Sequence, residues 1–400
     1  MNTIVDVAVV GGGVAGLCCA ALFVRAGARV TVIEPALDRT PPSGPLELRT
    51  LAIVPAAARV LGAAGAWALL DRTRLASFTA MEVWDAGSSG RLEFAPGPSH
   101  DGPMGWIVEN RQLVATLCRV LEASAARVIS DSVVDLVGAG PVDLGLAGGG
   151  RLQARLVVAA DGRASRLRGI LGIPWHETPY AARALIANVT TQAPHGSIAR
   201  QRFLPSGPLA FLPLPDPHAS SIVWSCEETL AARLEALDDA AFRHALGEAF
   251  EQRLGVIEAT TARASFPLLR ARAESLAQGA VALVGDAAHV VHPLAGQGLN
   301  LGLLDVAALV ECVGPPARES WPRPSALGRY ARWRQSAALD MTLVTDGLER
   351  LFAREEAPLR WLRGLGLDIT NRSGSLKRAL VGHAMGNAGD VPRLARSGTV

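Results

Sequence analysis

The sequence is poor in several features on which particular functions depend. Lysine occurs only at Lys377 among 39 basic residues, and 37 acidic residues leave a formal charge of +2. So small a charge gives no electrostatic argument for nucleic-acid binding. The five cysteines form no C-x-x-C pair and are odd in number. This pattern indicates neither a zinc site nor a disulfide framework, and it favours a reducing compartment.

No export signal is expected, and no internal repeat is found in the sequence. The first apolar run begins without the charged start and cleavage site of an export signal, so we expect a cytoplasmic protein.

At 400 residues and 49% hydrophobic content, the chain is long enough for two or three domains with real cores.

Residues 7–24, VAVVGGGVAGLCCAALFV, are eighteen residues without a charge. Its length and apolarity suit a membrane span, but three consecutive glycines at 11–13 argue against one continuous helix. A β-branched run before them predicts a strand over 4–10, an Ala- and Leu-rich run predicts a helix over 14–26, and RVTVIE predicts a strand over 29–34. The stretch is therefore predicted to open a βαβ unit.

A G-x-G-x-x-G motif lies within this unit, at Gly11, Gly13 and Gly16. In a dinucleotide site the first glycine permits the tight turn, the second lets the backbone approach a pyrophosphate, and the third lets the helix pack on the strand. Glu34 ends the second strand, where it can accept hydrogen bonds from ribose hydroxyls. An acid there disfavours a 2′-phosphate, so the motif predicts FAD or NAD rather than NADP.

Further pieces of a nucleotide-binding fold recur later, with other material between them. An NAD dehydrogenase usually keeps its βαβ units together, whereas a discontinuous arrangement suits a protein that holds an extended FAD. The predicted pieces are a helix over 55–61, a hairpin within 75–96, a strand and helix over 107–125, antiparallel sheet over 181–226, a helix over 229–255, a strand, loop and helix over 280–313, and a helical tail from about 325.

The stretch VVAADGRASRLR, residues 157–168, predicts a strand that ends in an Asp161-Gly162 turn. Such turns are common in purely structural roles. The apolar strand before it, with Ser165 and Arg168 after it, favours a cofactor contact: Asp161 toward ribose or pyrophosphate, and Arg168 toward a phosphate.

The most informative stretch is VALVGDAAHVVHPLAGQGLN, residues 281–300. Asp286 follows a buried strand at its carboxyl end, where α/β folds bind ligands. Pro293, Gly296, Gly298 and Asn300 predict a loop of bare backbone, with a helix from about residue 299. The N-terminus of such a helix, aimed at a reduced flavin, would stabilise the anionic ring.

Taken together, these motifs resemble the group A flavoprotein aromatic hydroxylases, and most of all the ubiquinone-biosynthesis hydroxylases of the UbiH/UbiF/VisC type. The resemblance covers essentially the whole chain and is carried by residues 9–17, 47–67, 108–117, 157–168, 202–215, 265–309 and 327–336. It implies the α/β fold of para-hydroxybenzoate hydroxylase, with an inserted antiparallel-sheet substrate domain. The implied division is a Rossmann-type FAD domain over 1–75, 105–180 and 270–322, a substrate domain over 76–104 and 181–269, and a C-terminal helical region over 323–400.

The resemblance also implies roles for single residues. The glycine-rich turn and Glu34 would hold the ADP half of FAD, and Arg49 and Arg111 would face its phosphates or ribityl chain. Asp161, with the glycine after it, would serve both FAD and a visiting NAD(P)H, while Asp286 would bond ribityl or ribose oxygens. The loop over 293–300 would lie beside the isoalloxazine.

The implied reaction is hydroxylation of a prenylated phenol in ubiquinone biosynthesis. NAD(P)H would reduce FAD, and O₂ would form a flavin C4a-hydroperoxide that passes one oxygen to the ring. Hydroxylation of another aromatic or polyketide substrate, and a non-catalytic flavoprotein subunit of a biosynthetic complex, remain alternatives.

No catalytic side chain is predicted by the sequence. Tyr180, His195 and His218 are candidates for a phenol-deprotonating base by polarity alone. His289 and His292 lack the partner ligands of a metal site, so no metal is expected.

The C-terminal stretch combines apolar residues with a positive charge. From 357 onward seven basic residues stand against two acids, 7 − 2 = +5. An interfacial helix needs such a combination, and a prenylated phenol must be drawn from a bilayer or from a lipid-binding partner protein. We expect peripheral contact with the inner face of the membrane; a helix packed on the FAD domain with a solvated basic face is the alternative.

Overall fold

A computed structural model describes residues 4–88, 90–94, 102–138, 140–291, 297–316, 321–353, 382, 386 and 389–396, with the backbone alone over 342–353. The strands are β1 (Val5–Val10), β2 (Val30–Ile33), β3 (Thr50–Ile53), β4 (Ala76–Phe78), β5 (Ala80–Asp85), β6 (Arg91–Phe94), β7 (Gly105–Glu109), β8 (Arg127–Ile129), β9 (Val133–Val137), β10 (Val142–Leu146), β11 (Arg151–Ala159), β12 (Trp175–Thr191), β13 (Ile198–Leu204), β14 (Gly207–Pro213), β15 (Ala219–Glu227), β16 (Ile257–Thr260), β17 (Ala264–Ala273), β18 (Ala277–Gln278), β19 (Val281–Leu283) and β20 (His289–Val290). The α-helices are α1 (Val14–Arg25), α2 (Pro55–Ala63), α3 (Asn110–Glu122), α4 (Arg166–Ile170), α5 (Glu228–Ala236), α6 (Asp239–Ala249), α7 (Gln297–Val313) and α8 (Pro324–Ala353). Short 3-10 helices lie at Trp67–Leu69, Arg72–Arg74, Gly285–Ala287 and Arg393–Ala395.

A mainly parallel sheet forms the first layer of the fold. Its order is β18–β19–β11–β1–β2–β8, with the hairpin β9–β10 attached to β11. The pairs β1–β2, β1–β11, β11–β19 and β2–β8 are parallel. The βαβ unit predicted from residues 4–34 is confirmed, and its central strand is fully buried at Val7, Ala8 and Val9, as expected for a strand covered on both faces.

A second, nine-stranded sheet is almost wholly antiparallel. Its order is β20–β17–β12–β15–β14–β13–β5–β6, with β16 beside β12. One face is covered by α5 and α6, where Phe211, Trp224 and Phe242 share a core. The antiparallel sheet predicted over 181–226 and the hairpin predicted within 75–96, which is β5–β6, are confirmed.

A small three-stranded sheet, β3–β7–β4, joins the two layers. Its Phe78 and Ile107 pack with Met81 and Leu92 of the nine-stranded sheet. Its Ile53 and Val108 belong to the core of the first sheet. The small sheet therefore packs against both large sheets, through two separate apolar clusters.

The single helix predicted over 229–255 is wrong, because the structure has α5 and α6 there. The break lies at Asp238, whose side chain accepts a hydrogen bond of 2.8 Å from the backbone N–H of Ala241 and caps α6. Aspartate at an N-cap competes with continuation of the preceding helix. Within the described residues, no helix is both long and apolar enough to cross a membrane.

Candidate cofactor site

Four neighbouring parallel strands end at one edge of the first sheet, and each is followed by a residue singled out in the sequence. Gly11 follows β1, Glu34 follows β2, Asp161 comes two residues after β11, and Asp286 comes three residues after β19. Backbone hydrogen bonds tie these strand ends together, including Gly11 N–H to Ile33 O at 2.9 Å. The strand order changes direction at β1, so this edge is the topological switch point at which open α/β sheets bind ligands.

The glycine-rich turn leaves no space for side chains at two positions. Gly11 has a φ of +117°, and a Cβ there would lie 2.2 Å from the carbonyl oxygen of Ala160. A Cβ on Gly16 would lie 2.2 Å from the carbonyl oxygen of Gly11. This geometry requires glycine at both positions, for a tight turn at Gly11 and for close packing of α1 at Gly16. The part of these glycines in cofactor binding remains a prediction.

Gly13 differs from them because a Cβ there would meet no atom within 4 Å. It is the N-cap of α1, and no side chain caps that helix. The first-turn N–H groups of α1 therefore face open space at the turn, with the positive end of the helix dipole. This arrangement fits the pyrophosphate of a dinucleotide.

Glu34 closes the turn from the side. Its Oε2 accepts a hydrogen bond of 2.7 Å from Gly12 N–H, and its Oε1 accepts one of 3.1 Å from Ala36 N–H. Each carboxylate oxygen has a further lone pair. Glu34 is thus held at the place expected for a ribose acceptor, and that role remains a prediction.

Asp161 lies directly against the same turn, since a Cβ on Gly11 would be 2.8 Å from Asp161 N. Its Oδ2 accepts a hydrogen bond of 3.1 Å from Leu167 N–H, while its buried Oδ1 has no partner among the described residues. Gly162 has a φ of +79°, and a Cβ there would meet open space. The Asp-Gly turn therefore fits a surface that accepts a ligand beside the glycine-rich turn.

Arg168, for which a phosphate contact was expected, binds protein groups instead. Its guanidinium donates hydrogen bonds to Ala287 O at 2.9 Å and Arg163 O at 2.7 Å, and it lies 3.6 Å from the ring centroid of Trp175. Ser165 caps α4 by accepting a hydrogen bond of 3.0 Å from the Arg168 N–H. Arg168 thus links the turn after β11 to the turn after β19, which the sequence pattern alone did not indicate.

Asp286 lies in the short 3-10 turn after β19. Its side chain is exposed to solvent, although its backbone neighbours Gly285 and Ala287 are buried. Burial raises the pKa of its carboxyl, with Asp305 adding to the shift, while His289 and Arg49 oppose it. Arg49, from the loop before β3, therefore acts on Asp286 electrostatically and favours its ionised form.

Arg111 is partly exposed at the start of α3. Its Nε lies 2.8 Å from Glu47 Oε1 and 3.7 Å from Asp38 Oδ2. The resemblance implies a contact between Arg111 and the FAD phosphates or ribityl chain. To make it, the guanidinium would have to leave these two carboxylates. That contact remains a prediction.

Asn300 has a structural role that sequence reasoning missed. Its Nδ2 donates to Ala52 O at 2.8 Å and its Oδ1 accepts from Val54 N–H at 3.0 Å, so it ties the first turn of α7 to the end of β3. A Cβ on Gly298 would meet open space, which fits a ligand beside the N-terminus of α7. The other residues named in this loop, His292, Pro293 and Gly296, lie outside the described residues.

A buried ionic network lies behind the Asp286 turn. The carboxylate of Asp305 accepts hydrogen bonds from Gly285 N–H at 3.1 Å and Arg334 Nε at 2.7 Å, and His289 Nε2 lies 2.6 Å from its Oδ2. His289 therefore contacts the buried ion pair of Asp305 and Arg334, and in the described part of the chain no cluster of three ligands could hold a metal. The one indication of this network in the sequence is an acid, Asp305, within the apolar run LGLLDVAALV.

The two histidines considered as phenol bases are bonded within loops of the second sheet. His195 Nδ1 accepts from Ser197 N–H at 2.9 Å, which leaves the proton on Nε2, 3.0 Å from Leu214 O. His218 Nδ1 lies 2.9 Å from Thr191 O. These contacts give both rings a turn-stabilising role.

Comparison with known proteins agrees with this geometry. Residues 134–343 match the family model described as FAD binding domain, and residues 9–38 match the one described as NAD(P)-binding Rossmann-like domain. The chain is 36% identical to ubiquinone hydroxylase UbiL of Rhodospirillum rubrum, over 99% of this chain and 93% of that protein. It is 34% identical to 3-demethoxyubiquinol 3-hydroxylase of Escherichia coli, over 96% of this chain and 99% of that protein.

Two solved structures have the same fold. The p-nitrophenol 4-monooxygenase PnpA of Pseudomonas putida has a TM-score of 0.76 at 21% identity, over 98% of this chain and 100% of that one. PqsL of Pseudomonas aeruginosa has a TM-score of 0.75 at 24% identity, over 92% and 100%. The predicted fold, a Rossmann-type FAD domain with an inserted antiparallel sheet, is confirmed. Together with the full-length relatives, these findings show that the chain belongs to the FAD-dependent ubiquinone-biosynthesis hydroxylase family.

Proposed function

We propose that this chain hydroxylates the aromatic ring of a prenylated phenol in ubiquinone biosynthesis, using FAD, NAD(P)H and O₂. The observation that carries the proposal is the convergence of the glycine-rich turn, Glu34, Asp161 and Asp286 at one sheet edge. Two relatives that match this chain over nearly their whole length have names that specify hydroxylation of ubiquinone or of a ubiquinol precursor.

Different residues at this edge would bind different parts of the cofactor. The turn over 11–13 and the N-terminus of α1 would hold the pyrophosphate, Glu34 a ribose, and Asp286 hydroxyls of the ribityl chain. The N-terminus of α7 would lie near the ring system, where its dipole stabilises negative charge. Bound FAD would supply the redox chemistry that activates O₂.

The second sheet presents one face to this edge. Asn188 and Ser221 are cross-strand partners on β12 and β15. Asn188 Nδ2 donates to Leu46 O at 3.2 Å, and Ser221 Oγ lies 3.0 Å from Thr50 Oγ1. This face therefore contacts the segment that carries Arg49, which in turn acts on Asp286.

An apolar strip continues along that face from the Asn188–Ser221 pair. Ile186 pairs with Val223, and Val223 pairs with Ala210, so these three side chains lie on the same face as Asn188. All three are only partly buried, although they are apolar. We assign them to the floor of the substrate site, where an aromatic ring with an apolar tail would bury them further.

This assignment predicts a change in substrate affinity without loss of the cofactor. Ile186→Asn and Val223→Asn should each raise KM for a short-chain prenylated phenol roughly 10- to 100-fold, since burial of an apolar side chain contributes about 1.5–3 kcal/mol. Steady-state NAD(P)H oxidation, with flavin absorbance measured on the same samples, tests this. Val256→Asn, at an exposed valine beyond the strip, is the control and should behave as wild type. An unchanged KM in both strip variants would remove this face from the substrate site.

NAD(P)H is proposed as the reductant because the family reaction needs one, while the sequence contains one G-x-G-x-x-G motif only. A dinucleotide that binds transiently needs no second motif of this kind. Asp161, with its unpartnered Oδ1, is our candidate for contact with both dinucleotides.

Membrane contact is proposed for the basic C-terminal stretch, most of which lies outside the described residues. Two of its seven basic residues are described, and both side chains contact protein groups: Arg393 Nε lies 3.5 Å from Glu311 Oε1, and Arg396 Nε donates to Val391 O at 2.8 Å. These contacts favour packing on the protein, rather than membrane contact, for that end of the stretch. The proposal therefore rests on the earlier residues Arg360, Arg363, Lys377 and Arg378.

Vesicle sedimentation tests the membrane proposal. At low salt the intact chain should pellet with anionic liposomes, because each basic residue near such a surface contributes about 1 kcal/mol. Glutamine at these four positions should leave the protein in the supernatant. A matched control replaces four exposed arginines on other surfaces, Arg25, Arg127, Arg233 and Arg332. If the four-glutamine variant pellets like wild type, these four residues do not carry the membrane contact. If the wild-type chain itself stays in the supernatant, the substrate must be delivered by a partner protein.

A further inference from the structure

Helix α8 reaches the cofactor edge through two residues one turn apart. Tyr330 and Arg334 are 0% and 2% exposed, although both carry polar groups. The hydroxyl of Tyr330 donates a hydrogen bond of 2.6 Å to the carbonyl oxygen of Leu283, the last residue of β19. Because Asp286 comes three residues later, α8 fixes the strand end from which the Asp286 turn begins.

The second contact passes through a single buried carboxylate. Arg334 Nε donates to Oδ1 of Asp305 on α7, and the other oxygen, Oδ2, accepts from Gly285 N–H and lies 2.6 Å from His289 Nε2. One fully buried side chain thus connects α7 and α8 to both ends of the turn that carries Asp286.

A third contact holds the middle of the turn from the opposite direction. Arg168, which is 7% exposed, donates to Ala287 O at 2.9 Å. Residues 285, 287 and 289 are therefore each bonded by a buried charged side chain. The Asp286 carboxyl, between the first two of them, remains accessible at the cleft.

Charge balance keeps this network in one arrangement. Burial alone would raise the pKa of Asp305, but His289 and Arg334 outweigh it and hold that pKa below its usual range. The carboxylate is thus an ionised acceptor for all three donors. A buried charge that loses a partner is strongly destabilised, so neither the turn nor α8 can shift independently of the other.

We propose that Arg334, acting through Asp305, is a positioning residue that sets the Asp286 turn for FAD, which makes α8 part of the cofactor site. This inference rests on the proposed function only in taking FAD as the ligand of that turn. A wild-type chain that fails to bind FAD would contradict the proposed function itself, whereas the variants below test the positioning role.

The test compares Arg334→Met with Gln335→Met in the full chain. Gln335 is the next residue on α8, and its Nε2 donates to Glu274 O at 2.8 Å, outside the network. FAD titration of apo-protein should give a Kd raised roughly tenfold or more for Arg334→Met and unchanged for Gln335→Met. Thermal unfolding of each apo-protein identifies a temperature at which both are folded.

A third variant keeps the test decisive if Arg334→Met does not fold. Arg334→Lys retains a positive charge beside Asp305 but loses the fixed guanidinium geometry. It should fold and bind FAD roughly threefold or more weakly than wild type, with an altered flavin fluorescence quench. A folded Arg334→Met with wild-type Kd would overturn the proposal. If that variant is unfolded, a wild-type Kd in Arg334→Lys would overturn it equally.

Discussion

Replacing Gly16 by alanine is expected to yield protein that retains almost no FAD, whereas wild type should be yellow with close to one FAD per chain. An alanine Cβ would lie 2.2 Å from Gly11 O and 3.1 Å from Ala160 Cβ. Neither atom can move aside unless α1 moves away from β1. Overpacking of this kind costs about 1–3 kcal/mol in stability. The displaced N-terminus of α1 would no longer meet the pyrophosphate. Flavin absorbance per chain after purification measures the loss.

Gly169→Ala is the matched control for that substitution. Gly169 lies in α4, and a Cβ there meets no atom within 4 Å, so the same added methyl group should leave FAD content unchanged. Full flavin occupancy in Gly16→Ala would mean that the turn over 11–16 does not form the pyrophosphate site.

Asp286→Ala is expected to weaken FAD binding roughly 10- to 150-fold, because a hydrogen bond to a charged group contributes about 1.5–3 kcal/mol. The turn itself should persist, since the bonds from Asp305 and Arg168 go to the backbone of residues 285 and 287. Far-ultraviolet circular dichroism should therefore match wild type. Asp135→Ala, at an exposed carboxylate on β9, should keep wild-type affinity.

The pH dependence of FAD binding gives a second readout of the same carboxyl. Burial raises the pKa of Asp286, with Asp305 adding to the shift and with His289 and Arg49 opposing it. A ribityl hydroxyl donates to the ionised form, so affinity should be full above this raised pKa and fall as the pH drops through it. Because the pKa is raised, the fall should begin at a higher pH than for an ordinary aspartate, and it should be missing in Asp286→Ala. A variant with the wild-type pH profile would exclude Asp286 as the acceptor.

The sequence predicts those features of the site that depend on the spacing of neighbouring residues within one segment. The turn at Gly11 and Gly16 needs small residues at fixed offsets between a strand and a helix, and this requirement is visible in eighteen letters of the first βαβ unit. Asp286 was found by the same logic, since it follows a short buried strand. The proposed division into domains, and the roles of Glu34 and Arg111 toward the cofactor, remain predictions.

The contacts that the sequence did not reveal join residues far apart in the chain. Arg168 bonds Ala287 across 119 positions, and Asn300 bonds Ala52 across 248. The expectation of a phosphate contact for Arg168 used only its distance from the Asp-Gly turn. Its actual partners depend on the sheet order, which places β19 beside β11, and no periodicity in one segment contains that information.

The measurement that tests the central claim most directly follows the fate of O₂. FAD-loaded protein is supplied with NADPH or NADH, isotopically labelled O₂ and a short-chain prenylated phenol, and the product is analysed by mass spectrometry. We expect NAD(P)H oxidation and O₂ uptake that depend on the phenol, and a product that carries one labelled oxygen on its ring. Substrate-dependent turnover of a different aromatic compound would contradict the assignment to ubiquinone biosynthesis. Flavin-loaded protein that incorporates no label into any phenol would contradict the hydroxylase account altogether.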